Sequence, residues 1–137
     1  MNKNKIIIST DKSPSAIGTY SQAVGVPFGC NIIYTSGQVP LHPKTGKIIS
    51  DNFGDQVVQT LDNIQGIIKS RGGSLNNIMK LTVYLIDLSN FDELNAIFQN
   101  YWEKANVSDY PARSAVEVSK LPKNSQVEIE AIFYDEN

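Results

Sequence analysis

Two carboxylates recur on one side of the segment at residues 126–134. Val127, Ile129, Ala131 and Phe133 alternate with Glu128, Glu130 and Ile132, the period of an extended strand. Glu128 and Glu130 therefore share a face. The same spacing suits an ordinary exposed strand face. In a partly enclosed site, burial would raise a carboxylate's pKa and make it a general base. Arg113 follows Pro111 and Ala112 and precedes Ser114 and Ala115, so a stiffened, small-residue setting surrounds it. Its planar fork matches a carboxylate through two parallel hydrogen bonds, which a lysine cannot reproduce. An ion pair with Glu128 or Glu130 is the competing expectation for Arg113.

Asn95 lies four residues after Phe91 and three before Phe98, inside an apolar helical stripe. A buried amide there needs a partner, either nearby backbone or a ligand. Tyr20 and Ser36 place hydroxyls beside Gly18 and Gly37, where a missing Cβ lets backbone come close to a bound group. His42, between Leu41 and Pro43, reads as an exposed turn residue. Cys30 reads as a small hydrophobe with no nearby cation to activate it.

Composition narrows the chemistry. One histidine and one cysteine in 137 residues exclude a Cys/His zinc site and an intrachain disulfide. A hydroxyl-histidine-carboxylate triad would have to use His42. No glycine-rich phosphate loop is present. Net charge is −2, which does not favour nucleic acid as a partner, although 12 Lys and Arg side chains permit a local basic patch. The polar run at residues 1–5 leads into Ile6, Ile7 and Ile8, too short for a signal-peptide core. No apolar run approaches a membrane span. The expected location is cytoplasmic.

The elements that must position these residues follow from patterning. Strands are expected at 5–9, 20–26, 31–36, 78–86, 112–118 and 126–134. Val57, Leu61, Ile64 and Ile68 define one face of a helix over 55–70, capped by Asn52 and ended by Gly72-Gly73. A second helix over 90–104 carries Phe91, Leu94, Phe98, Tyr101 and Trp102, with Ser89 and Asp92 at capping-box spacing. The order β-β-β-α-β-α-β-β predicts one α+β domain over 1–137, a mixed sheet with two helices on one face. Thr82, Tyr84, Arg113, Glu128 and Glu130 are expected on the other face. That face is too polar for a monomer core yet partly apolar, so a homo-oligomer is expected.

Five motifs in order carry a resemblance: residues 16–23 (AIGTYSQA), 35–38 (TSGQ), 43–46 (PKTG), 110–114 (YPARS) and 127–131 (VEIEA). Together they closely resemble the RidA family, also called YjgF, over residues 13–134. The resemblance implies a chorismate-mutase-like fold and a homotrimer with a central barrel and active sites between subunits. It implies a cofactor-free deaminase that hydrolyses 2-iminobutanoate and 2-iminopropanoate to 2-keto acids and ammonia. By motif, Arg113 corresponds to the family's carboxylate-binding arginine and Glu128 to the acid that positions or activates water. Tyr20, Ser36, Gly37 and Asn95 match residues lining the pocket. Two positions depart from many members: Ala115 stands where they have cysteine, and Thr19 where they have proline. Ala115 argues against a thiol nucleophile.

Rival expectations are an endoribonuclease or translation inhibitor, a labelling attached to this family, and a non-catalytic trimer that binds small carboxylates. The first would need a basic track, for which Lys44, Lys47, Lys120 and Lys123 are the candidates. Chorismate mutase activity does not follow from the fold.

Overall fold

A computed structural model describes residues 3–137. Met1 and Asn2 of the polar N-terminal run lie outside the described residues. The elements are β1 (Ile6–Ile8), β2 (Ala23–Gly25), β3 (Asn31–Tyr34), α1 (Phe53–Ser70), β4 (Ile78–Leu85), α2 (Phe91–Lys104), β5 (Ala112–Glu117) and β6 (Val127–Asp135). The α+β expectation holds: two helices and a mixed sheet share one core.

The sheet order is β3-β6-β4-β5. β6 is antiparallel to β3 and β4, and β5 runs parallel to β4. The expectation that the first two strands join this sheet is corrected. β1 and β2 pair only with each other, Ile7 opposite Val24. They spend their ladder bonds on one another, and β5 stays an edge strand.

Alternation decides the core. Leu81, Val83, Leu85, Val127, Ile129, Ala131 and Phe133 are buried on one sheet face. They meet Val57, Leu61, Ile64 and Ile68 of α1 and Leu94, Phe98 and Trp102 of α2. Filling one face with period-2 side chains and covering it with two amphipathic stripes is what the sequence pattern dictates. Each large side chain buried this way contributes roughly 1.5–3 kcal/mol.

Asn52 caps α1 as expected, its Oδ1 accepting the Asp55 N–H at 2.9 Å. The Ser89–Asp92 capping box does not form. Asp87 accepts the Ser89 N–H at 2.9 Å instead and caps a short 3-10 turn that leads into α2. That turn consumes Ser89, so Asn90 becomes the residue before the helix.

At the far end of the sheet, Asp135 is 2% exposed and pairs with Arg71 Nε at 2.6 Å. Arg71 first, and Asn31 second, hold its carboxyl below the ordinary 3.8. A carboxyl whose folded pKa is depressed adds stability above its unfolded value and loses it as pH falls through the folded one. Asp135→Asn should therefore destabilise the protein at neutral pH, and the gap to wild type should close in acid. Urea denaturation of both proteins from pH 7 downward checks this; a gap that widens in acid contradicts it.

Candidate functional site

The approach to Arg113 is tied down before β5 begins. The Ser21 N–H donates to the Pro111 carbonyl at 2.9 Å, and the Ser21 hydroxyl donates to the Tyr110 carbonyl. These two bonds dock the loop carrying Tyr20 onto the start of β5. The guanidinium carbon then lies 5.7 Å from the Tyr20 ring centroid, 5.6 Å from Phe91 and 5.4 Å from Phe98. Rings at this range attract a cation through their quadrupoles. They supply no hydrogen-bond acceptor in the plane of the fork.

Arg113 Nη1 is buried and has no partner. Burial pushes the Arg113 pKa down, and Tyr20 partly opposes it. A guanidinium stays protonated at physiological pH regardless. The fold thus holds a desolvated cation with a free donor.

Asn95 sits on α2 between the two rings that flank the guanidinium, one turn after Phe91 and one before Phe98. Its Oδ1 is also buried without a partner. So is the Thr19 hydroxyl, next to Tyr20 in the docked loop. An unsatisfied donor and two unsatisfied oxygens are thus carried by segments that pack around one cation.

Glu128 is elsewhere. Arg113 stands beside Leu81 in the β4–β5 ladder, and Glu128 stands opposite Tyr84 in the β4–β6 ladder. Leu81 and Tyr84 are three residues apart on one strand, so their side chains take opposite faces. Two expectations are corrected together. Arg113 is on the helix-covered face, not with Thr82, Tyr84, Glu128 and Glu130. It makes no ion pair with Glu128 or Glu130; among the described residues the ion pair present is Arg71–Asp135.

On the open face, Glu128 meets Gly37. Thr35 bonds Ala131 at 2.9 Å and Gln38 bonds Ile129 at 2.8 Å. Ser36 and Gly37 therefore face Glu130 alone, a one-residue bulge. The bulge brings backbone so close to Glu128 that a Cβ on Gly37 would collide with its carboxylate. Only glycine allows that approach. Tyr84 O–H donates to Glu130, which raises the Tyr84 pKa. Of the two carboxylates, Glu130 is the engaged one. Gly37, Tyr84, Lys120, Leu121, Glu128 and Glu130 line an open depression of about 400 Å³. Ser36 is exposed at its margin.

The expected residues thus separate into two groups. Tyr20, Asn95 and Arg113 come together on the helix side; Ser36, Gly37 and Glu128 come together on the open face. The rings of Phe91 and Phe98 read as core from their spacing, and their contact with Arg113 was visible only as the two aromatics bracketing Asn95. His42 is exposed in its turn, where its Nδ1 accepts the Lys44 N–H at 3.1 Å. Cys30 is half-buried and free.

Residues 10–134 match the family model described as Endoribonuclease L-PSP. The chain is 44% identical over 125 residues to the 2-iminobutanoate/2-iminopropanoate deaminase of Escherichia coli K12, covering 91% of this chain and 94% of that protein. Among solved structures it is similar to RidA from the Antarctic bacterium Psychrobacter, at 46% identity and TM-score 0.68, covering 95% of this chain and 99% of the other. It is also similar to E. coli TdcF with bound serine, at 38% identity and TM-score 0.72, covering 95% and 98%.

If Arg113 is held against its own solvation preference, removing it should not weaken the fold. Arg113→Met should unfold at the same or higher urea concentration than wild type. Phe98→Ala should lose about 3–5 kcal/mol through the cavity it leaves. Denaturation at matched protein concentration distinguishes the two; a large loss for Arg113→Met would make the arginine structural.

Proposed function

The chain belongs to the endoribonuclease L-PSP family, which includes RidA, and from that premise we propose that it hydrolyses short 2-imino acids, 2-iminobutanoate and 2-iminopropanoate, to 2-keto acids and ammonia. The observation that carries this reading is the buried guanidinium of Arg113 with an unpartnered Nη1, beside the unpartnered amide oxygen of Asn95. A 2-imino acid offers a carboxylate to the first and an N–H to the second. The E. coli relative at 44% identity bears the deaminase name, and TdcF holds serine, a small amino acid with a carboxylate.

One protomer does not bring Arg113 and Glu128 to one substrate, because they occupy opposite faces of the sheet. We therefore assign the complete site to two copies in a homotrimer. The edge strand β5 of one copy, with Arg113, lies against the open face of the next, with Glu128 and Gly37. That face bears exposed apolar side chains, Ile32 at 47%, Tyr34 at 72% and Val116 at 43%, surface that a partner would cover.

In this site Arg113 grips the carboxylate and fixes the molecule's orientation. Asn95 Oδ1 accepts from the substrate nitrogen, and the Tyr20 ring closes over the guanidinium. Glu128 of the neighbouring copy takes a proton from water as that water attacks C2. A tetrahedral carbinolamine forms. Its nitrogen is protonated and leaves as ammonia, and the C2 oxygen becomes the keto group. The Ser36–Gly37 bulge holds backbone against Glu128 and shapes the water's place. Free imines hydrolyse in water unaided, so the ~10²–10⁴-fold typical of a positioned general base suffices.

The lifetime of 2-iminobutanoate, followed by semicarbazide trapping, tests the proposal. Arg113→Ala and Glu128→Ala should each lose activity, the latter by about 10²–10⁴-fold. Co-refolding the two inactive variants should restore part of it, because random assortment pairs an intact arginine with an intact glutamate at some interfaces. Wild-type turnover by Arg113→Ala refutes the arginine's role. No recovery on mixing refutes the shared site. Gly37→Ala should also fall in activity while staying folded by circular dichroism.

A further inference from the structure

A second cavity, of about 500 Å³, opens where the two ends of the described chain meet the C-terminal end of α1. None of the residues assigned to the imine site lines it. Several of its polar groups are engaged within the chain. Arg71 Nε pairs with Asp135, the Tyr134 hydroxyl donates to the Lys3 carbonyl at 3.0 Å, and Asn137 Nδ2 donates to the Arg71 carbonyl at 2.7 Å.

Lys5 is the buried cation among them. It lines the cavity, yet the residue is only 6% exposed. Its Nζ donates once, to the Ile78 carbonyl at 2.8 Å. No carboxylate lies within ion-pair distance of it among the described residues. A buried ammonium without a counter-ion is costly, and losing the proton relieves the cost. Burial lowers the Lys5 pKa from 10.5 to about 8, and Asp109 across the cavity opposes this only in part. The other charged groups facing the cavity are Lys3, Arg71, Asp135 and Glu136.

We propose that Lys5 is an amine nucleophile opening onto this cavity, and that it condenses with small 2-oxo acids to form a Schiff base. Buried lysines that have lost their charge serve this chemistry generally. The Ile78 carbonyl holds one N–H and leaves the nitrogen lone pair uncommitted. The lone pair attacks the carbonyl carbon, the C–N bond forms, and the carbonyl oxygen takes a proton. The resulting carbinolamine loses one water, giving the imine without any change of oxidation state. Arg71 spends only Nε on Asp135, so its terminal nitrogens remain for the 2-oxo acid's carboxylate. The choice of a 2-oxo acid rests on the proposed deaminase reading, whose product is one.

The test supplies the carbonyl directly and so does not depend on deaminase activity. The full-length protein is incubated with 2-oxobutanoate, or separately with uncharged propanal, plus cyanoborohydride, on either side of pH 8. Peptide mapping by mass spectrometry then compares Lys5 with the exposed Lys44 and Lys104. With 2-oxobutanoate above pH 8, Lys5 should be alkylated at least ~10-fold faster than either, as expected for a larger neutral fraction. The labelling rate of Lys5 itself should fall as pH drops below 8, while its excess over the two exposed lysines should persist there and narrow only as pH rises further above 8. Equal or slower labelling of Lys5 overturns the proposal, and so does labelling by propanal alone. Imine turnover by Lys5→Met, measured separately, should match wild type.

Discussion

A guanidinium held away from water without an anion beside it is the constraint on which the candidate site depends. Arg113 sits among the rings of Tyr20, Phe91 and Phe98 with Nη1 unpartnered. Cation–ring attraction offsets part of the lost hydration, yet leaves the in-plane donor unanswered. Such an arrangement survives only where the surroundings over-determine it. Ser21 fastens the Tyr20 loop to Tyr110 and Pro111, and the buried residues of α2 fasten the two phenylalanines to the core. The segments that cage the arginine are fixed by contacts that do not involve its charge.

Strand parity sets the second constraint. Side chains alternate along β4, so the neighbours of Leu81 and of Tyr84 can never share a face. Arg113 and Glu128 are those neighbours. A chain that uses both on one substrate has to do so with a second copy. The same parity leaves Ile32, Tyr34 and Val116 uncovered on the face that carries Glu128. Incomplete chemistry and incomplete burial thus fall on the same surface, and one association would resolve both.

Three cations of the protein show how environment, rather than residue type, assigns a role. Arg71 is half-exposed and answered by Asp135. Arg113 is desolvated and unanswered. Lys5 is buried with a carbonyl as its one acceptor, which favours the neutral amine. The first is answered by a carboxylate; among the described residues the other two form no ion pair.

The sequence by itself determined the helices, the alternation of β4 and β6 and the core they build, because those features follow from local period and need no distant partner. It also pointed to Arg113, Glu128, Gly37 and Asn95, whose types and spaced motifs are legible one at a time. Tertiary structure decided what lay between segments far apart in the chain. It put β1 with β2 outside the main sheet and set Arg113 beside Leu81. A side chain's face in a strand is fixed by ladder register, and register is a relation between strands that neither strand's own sequence contains.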